Sequence, residues 1–498
     1  MDKKYKIFQG RIEILWILLS LILLTLSAPE PMLAQRDTVP GPIDSMRNPS
    51  AVYCNMLGYT YRIKNSADGG QYGVCELPAD TTCRAWDFLA GKCGKAYSIC
   101  AKQGLEIRTL KDGKDPFLTE YAVCVNDEGN IIKSVTEMTN LLEQSGGVAL
   151  NESFSMQPST PRPEDAHTND ALPSSFDWRS YQGSNWLTPI KSQGICGSCW
   201  AFSAVGVTEA VLNIKANNPN LDHDLSEQYL VTDCALDEGA CDGGSKGGAL
   251  TFIRDDGIPD EACLPYLDGD GTNGCTYYED SSGNAICDGS CCTYSTGGQC
   301  SDYQCSDRCS DWDIHLQTIF GATYLGYNPG KDTIKQAMID HGPIAVSMNM
   351  GGNANDRIYT CSDNDSAGHA VVIVGYNDAE GYWIVRNSWG DDWGYYGNGY
   401  FNVAYDNCAI QKWPYYAGDG EPPNTNIISG PNGWIRSNSA TLEWTGSDNQ
   451  TATDDLVYSY KLDSGVWSAW TSNTSKTYND LSEGAHTFHV KAKDEAGN

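Results

Sequence analysis

The sequence predicts an α+β region flanked by a small cysteine-rich domain on its N-terminal side and a β-sandwich on its C-terminal side. Three observations carry this. The apolar run Ala201 to Thr208 reads as the start of a buried helix, while Ala370 to Val374 and Tyr382 to Arg386 read as buried strands. Six of the 20 cysteines fall between residues 47 and 135. Beyond Glu421-Pro422-Pro423 cysteine disappears and apolar residues alternate with period two, at Ala440, Leu442 and Trp444, then Val457 to Leu462, then Phe488, Val490 and Ala492.

Taken in order, the 498 residues suffice for about three domains. Lys3, Lys4, Lys6 and Arg11 precede an apolar run from Ile14 to Leu26, broken only by Ser20 and Thr25. This is the pattern of a secretory signal peptide over 1–34, with cleavage after Ala34 or nearer Ala28; an uncleaved anchor is the alternative. Export implies a secreted, disulfide-bonded protein, with periplasm or cell surface as variants. The formal net charge of −31 argues against nucleic-acid and anionic-membrane partners, because both need clustered Lys and Arg to neutralise phosphate.

Residues 35–46 read as a Pro-containing linker, and 47–135 as a domain that repeats itself. Ala51-Val52-Tyr53-Cys54, closing on Tyr72-Gly73-Val74-Cys75, is echoed by Ala96-Tyr97-Ser98-Ile99-Cys100, closing on Tyr121-Ala122-Val123-Cys124. The first copy carries the extra pair Cys83 and Cys93. With Asp68-Gly69-Gly70-Gln71-Tyr72-Gly73 and Trp86 it resembles a small exported bacterial domain of unassigned function found in haemolysin-type proteins, a resemblance that implies no mechanism. Residues 136–171, with Pro158, Pro161 and Pro163, read as a linker or pro-segment.

The chemistry centres on Gln193-Gly-Ile-Cys196-Gly-Ser-Cys199-Trp200. Cys199 would begin the helix, where the dipole and unpaired N–H groups favour a thiolate. A thiolate needs a proton partner. Of seven histidines only His369 opens a buried strand after a flexible Ser366-Ala367-Gly368. Asn387, at the end of the next strand, could orient that imidazole with Trp389 shielding the bond, and Gln193 could donate its amide N–H to an oxyanion.

These four residues, in this order, are similar to those of the papain family of cysteine peptidases, and the likeness spans 172–418, opening at Leu172-Pro173. It implies a two-lobed papain-like fold, with a helical lobe and a β-rich lobe. It makes Cys199 the nucleophile, His369 the general acid/base, Asn387 the orienting residue and Gln193 the oxyanion donor. It further implies bridges Cys196–Cys241, Cys234–Cys275 and Cys361–Cys408, and substrate binding at Gly243, Gly244 and Trp389. Ser245 and Lys246 follow near where the family builds its specificity pocket.

Two departures stand out. The separation of Cys199 from His369 exceeds the about 130–150 residues of the simple pattern, so an insertion is expected near 276–312. It lies where carboxydipeptidases of the cathepsin B type carry a histidine-bearing loop. No histidine occurs between Cys275 and Cys309, which favours an endopeptidase. With Cys199 set aside, the region holds an odd number of cysteines, and Cys263 is the candidate left over; disulfides are favoured over a zinc site. Asp268 to Gly274 lacks the closing Glu of a calcium loop and reads as a plain loop. No long helical inhibitory segment is evident between 35 and 171, so either the repeated domain shields the cleft or it is an independent module.

The expected activity is peptide-bond hydrolysis through a thiolate acyl-enzyme, with protein substrates, no cofactor and no metal. A peptide ligase on the same site, or an idle adhesin, are the alternatives. Residues 419–498 resemble the fibronectin-III or immunoglobulin-like modules of bacterial exoenzymes, expected to be incomplete and to bind a surface or polysaccharide.

Overall fold

The computed structural model describes residues 5–7, 41–146, 172–269, 278–279, 285–286 and 304–494, apart from gaps at 236–237, 356, 363, 396, 419–422, 432, 449–452 and 464. Backbone contacts divide the chain into one unit of Val39–Gly418 and another of Met1–Thr38 with Asp419–Asn498.

The first unit is built around the helix Cys199–Lys215. Its sequence is apolar on nearly every face, so it is buried nearly all round rather than amphipathic. The helix ends where Asn217 turns left-handed. It packs against the strand His369–Asn377, in the middle of a nine-stranded sheet. The sheet order runs Ala322–Tyr324, Tyr415–Ala417, Ile344–Met348, His369–Asn377, Tyr382–Arg386, Tyr400–Ala404, Ile358–Cys361, Gly352–Asn355, with Ser175–Asp177 also paired to the His369 strand. Pairing is antiparallel except between Ile358–Cys361 and Tyr400–Ala404. Helices Glu227–Val231 and Lys246–Asp256 pack on the central helix. This is the papain-like α+β architecture.

The repeat seen in sequence is a repeat in structure. Helix Pro49–Met56 leads into the meander Thr60–Asn65, Gln71–Leu77, Thr81–Arg84, followed directly by helix Ala85–Leu89. Helix Ile99–Lys102 leads likewise into Glu106–Leu110, Tyr121–Val125, Ile131–Ser134 and then helix Val135–Met138. Cys54–Cys75 and Cys100–Cys124 tie each helix to its middle strand, and Cys83–Cys93 is peculiar to the first copy.

Both expected linkers are partly folded. Residues 41–46 lie against the catalytic region, as set out below. Val135–Met138 carries a capping box between Ser134 and Glu137, and Leu141–Gln144 follows with Leu141 buried. A polar composition concealed this, because a two-turn element needs only one or two buried apolar residues. Residues 147–171 lie outside the described part.

The second unit holds antiparallel strands, of which Ala440–Ser447 alternates along its length between buried and more exposed residues. Asn424–Ser429, Ala440–Ser447 and Ser475–Tyr478 form one sheet, and Val457–Leu462 pairs with Phe488–Lys493. Ala440, Leu442, Trp444, Leu456, Tyr458 and Phe488 form its core. Of the expected signal peptide only Tyr5–Ile7 is described, as a strand between Gly433–Ile435 and Gly484–His486.

Candidate active site

Cys199 is the first residue of its helix, and no side chain caps that end. The unpaired N–H groups of the first turn are thus directed at the thiol rather than spent on a cap. The Sγ accepts the backbone N–H of Ala370 at 3.5 Å. Cys196, three residues earlier, is bonded to Cys241, and Cys199 is the free cysteine among the described residues. The two cysteines of the motif therefore do separate work.

Antiparallel pairing of Val372 with Arg386 carries the strand ends past each other and brings His369 beside Asn387. His369 Nε2 lies 2.7 Å from Asn387 Oδ1. Since that oxygen also accepts the Ser388 N–H at 2.8 Å, the imidazole must donate from Nε2. Its Nδ1 is left as the basic nitrogen, buried and without a hydrogen-bond partner. The Trp389 ring stacks on the imidazole with centroids 4.7 Å apart and is itself fully buried, which keeps water from the His369–Asn387 bond.

Gln193 is held by two contacts with the same neighbour. Its N–H donates to Ser388 O at 2.9 Å, and its Oε1 accepts from Ser388 Oγ at 2.7 Å. This turns Nε2 toward the cleft, where it donates to Met46 O at 2.8 Å and Cys196 O at 2.9 Å. Ser388 is a supporting residue that the sequence reading did not single out, although it is part of the Asn387-Ser388-Trp389 motif.

The Met46 carbonyl on Gln193 belongs to a strap. Asp44 forms an antiparallel bridge with Gly244, Asp44 N–H to Gly244 O at 3.0 Å and Gly244 N–H to Asp44 O at 3.1 Å. The N–H groups of Ser45 and Met46 both donate to Gly368 O, at 3.0 and 3.1 Å, and Asn48 N–H donates to Gly194 O at 3.0 Å. Residues 43–48 thus cross the site in one direction, from Gly244 past Cys199 toward Trp389, whose carbonyl accepts from Asn48 Nδ2. Gly243 makes this possible: with φ of +124° it has a backbone few side chains adopt, and a Cβ there would meet Ser45 Cβ at 2.7 Å.

The cysteine-rich domain clamps the far end of the strap. Trp86 donates its indole N–H to Trp389 O at 3.1 Å and packs on both Trp389 and Trp393. Trp393 donates to Phe117 O at 3.1 Å, which engages the second copy as well. Gln71 pairs its backbone with Ile190 and Asp391, and Tyr61 bonds Ser192 through their hydroxyls at 3.1 Å. None of these cover residues was expected at the site, since each reaches it only through long-range packing.

Burial changes the electrostatics. The Cys199 thiol is pushed up to about 12, chiefly by desolvation and next by the Asp44 charge, with N–H groups of Ala370, Met46 and Trp200 opposing. His369 is pushed down to about 4 by desolvation, against the pull of the Asn387 bond. Burial thus disfavours charge on both groups while the site is covered, against the thiolate that the helix start favours.

The bridges correct two expectations. Cys361–Cys408 pairs as the resemblance implies, but Cys234 bonds Cys305 rather than Cys275, and Cys263 bonds Cys309 instead of being left over. The physical reason is local. The turn Cys305–Asp307 docks beside Asp233–Ala235, with Asp233 accepting the Cys305 N–H, and Cys309 N–H donates to Cys263 O at 2.9 Å. Cys275, Cys287, Cys291, Cys292 and Cys300 lie outside the described residues. So does most of the loop read against calcium, of which Asp268 accepts from Gln228 Nε2 at 2.6 Å.

Residues 172–417 match the profile of the papain family cysteine proteases, and 45–92 that of a domain of unknown function, DUF333. A viral cathepsin of Adoxophyes honmai nucleopolyhedrovirus is 31% identical over 297 residues, covering 58% of this chain and 69% of that protein. A probable cysteine protease of Arabidopsis thaliana is 35% identical over 47% of this chain and 44% of its own length. Ananain of Ananas comosus is 28% identical over 71% and 93% respectively. With Cys199, His369, Asn387, Gln193 and the glycine pair assembled on this fold, the chain belongs to the papain family of cysteine proteases and is a cysteine-type peptidase acting on proteins.

Proposed function

We propose that the chain is an exported endopeptidase that works through a Cys199 acyl-enzyme and is held latent by residues 41–146. The single observation that carries the catalytic half is the 2.7 Å His369–Asn387 bond beside a free cysteine at a helix start. Once the cleft is wet, the His369 Nδ1 takes the thiol proton, and the thiolate attacks a peptide carbonyl. The oxyanion forms at the amide N–H of Gln193, the leaving amine takes its proton from the imidazolium, and water then hydrolyses the thioester. Latency is supported by the strap: it occupies the glycine pair, puts a carbonyl on Gln193 and leaves Cys199 fully buried.

Export is supported by seven disulfides among the described residues, a number that a reducing compartment would not sustain. No described helix is long and apolar enough to cross a membrane. Endopeptidase action is favoured by the absence of histidine between Cys275 and Cys309. The second unit exposes Trp434, Trp467 and Trp470, the last two with lysine ammonium groups from Lys461, Lys491 and Lys493 over their rings, and exposed indoles of this kind are in line with a polysaccharide- or surface-binding role.

The test compares casein hydrolysis by the full chain, by the chain cut between residues 147 and 171, and by each with Cys199→Ala. We expect the cut chain to be active, the uncut chain to be nearly silent and both Cys199→Ala forms to be inactive. Cleavage by the Cys199→Ala protein at the wild-type rate would overturn the catalytic assignment, and equal activity of cut and uncut wild type would overturn latency. Mass spectrometry of the products separates hydrolysis from ligation.

A further inference from the structure

Lys246 is a buried cation that the reaction does not use. It opens the helix Lys246–Asp256, two residues after Gly244, and is 2% exposed. Its ammonium contacts Ser347 Oγ, lies 5.7 Å from the centre of the Tyr415 ring and is 3.4 Å from Asp44 Oδ2. Asp44 is fully buried, and the same carboxylate oxygen accepts from Ser347 Oγ at 2.8 Å. A lysine is rarely buried without a counter-charge, because the desolvation cost is large. Here the only carboxylate in contact with Lys246 among the described residues comes from the strap, not from the catalytic region.

That has a consequence for whatever replaces the strap. Asp44 pairs its backbone with Gly244 in a two-bond antiparallel bridge, which is how an extended peptide would lie on that glycine. Its side chain then falls on Lys246 and Ser347. When the strap leaves, an ammonium and a hydroxyl remain at the side-chain site of the residue paired with Gly244, with an aromatic wall beside them. A neutral apolar side chain seated there would leave the ammonium desolvated and unpaired; a carboxylate would restore the contacts that Asp44 makes.

Resting on the peptidase reading above, we infer that Lys246 makes this an acid-selecting peptidase: the substrate residue that pairs with Gly244, on the N-terminal side of the cut, is Asp or Glu, and Asp44 is its built-in mimic. Because the strap passes Gly244 before it reaches Cys199, a substrate lying in the same direction has this residue shortly before the scissile bond. The selection acts on side-chain charge rather than size, so the isosteric amide is the informative comparison. Ser347 alone could hydrogen-bond an amide, but only Lys246 distinguishes Glu from Gln by charge.

The experiment uses the full chain after limited proteolysis between residues 147 and 171. Fluorogenic peptides identical except for Glu, Gln, Leu or Lys at each of the three positions before the cut are compared by kcat/KM. At one position Glu is expected to exceed Gln by about 10-fold or more, with Lys poorest, as for truncating one partner of a buried charged pair. In Lys246→Met the Glu-to-Gln ratio measured within the variant should fall to near one, and in Lys246→Glu the order of Glu and Lys should reverse. Equal rates for Glu and Gln at all three positions in the wild type would overturn the inference whether or not the variants fold. If the wild type cleaves no peptide and Cys199 resists an epoxide that labels cysteine peptidases, the peptidase reading itself fails, and acid selection fails with it. Turnover without charge preference removes only the latter.

Discussion

At the scale of single residues, the site depends on Gln193 being aimed by Ser388. An amide that donates to an oxyanion is worth most when its direction is fixed beforehand, and here the Oε1 is already engaged, leaving only Nε2 for the cleft. Gln193→Ala is expected to lower kcat by about 10²–10³ in the cut enzyme, with KM changed far less, as read from steady-state kinetics on one peptide. The residues proposed to perform chemistry could be singled out in the sequence because each sits in a short local motif whose geometry follows from its element. Cys199 begins an apolar helix, His369 opens a strand and Asn387 closes the next one. Their protonation was not legible, since it depends on Met46 and Asp44, more than 150 positions away.

Among the elements, the helix–meander repeat carries the cover. Its two copies share an order of secondary structure and a bridge between the helix and the middle strand, yet they face the catalytic region differently. The first contributes Trp86, the second the Phe117 backbone and ring. Trp86 sits between Trp389 and Trp393 with its N–H satisfied, the arrangement of a central interface anchor. Trp86→Ala should cost about 2 kcal/mol or more of docking energy. That corresponds to about a 30-fold rise in opening, measured as a faster alkylation of Cys199 in the uncut protein. A rate equal to wild type would show that the strap closes the cleft unaided. The repeat could be read from its echoing cysteines. The two expected linkers could not, because a bridge between Asp44 and Gly244 leaves no periodic mark in either segment.

For the whole molecule, covering the site ties its stability to pH. His369 is held neutral by burial, its value pushed down to about 4 from an ordinary 6.5. A group depressed in this way favours the closed form fully above about pH 6.5, and that contribution is lost as pH falls toward 4. Cys199, pushed up to about 12, contributes below about 9 and is lost only in alkali. Asp44 acts against His369 in acid, because burial raises its carboxyl although Lys246 and Ser347 pull it down. Asp392, paired with Arg84 of the cover and pushed up to about 7 by burial, opposes His369 as well, so the His369 share, opening below about pH 6.5, is read as the difference between wild type and His369→Ala in hydrogen exchange at Ser45 and Met46. Asp44→Asn, which strips Lys246 of its partner, should open at higher pH than wild type. A difference between wild type and His369→Ala that stays constant from pH 7 to 4 would contradict the assignment.

The placement of the disulfides has one more consequence. Three of those described lie within 47–135 and four within 172–418, and none joins the cover to the catalytic region. Apart from the polypeptide through 147–171, the two are held by hydrogen bonds, aromatic packing and ion pairs such as Arg84–Asp392 and Lys246–Asp44. Under the proposed latency, a single cut in that stretch turns a tethered cover, at a local concentration in about the millimolar range, into a separate inhibitor obeying mass action. Once released into a large volume the enzyme would be freed by dilution, while at its crowded source it would stay closed.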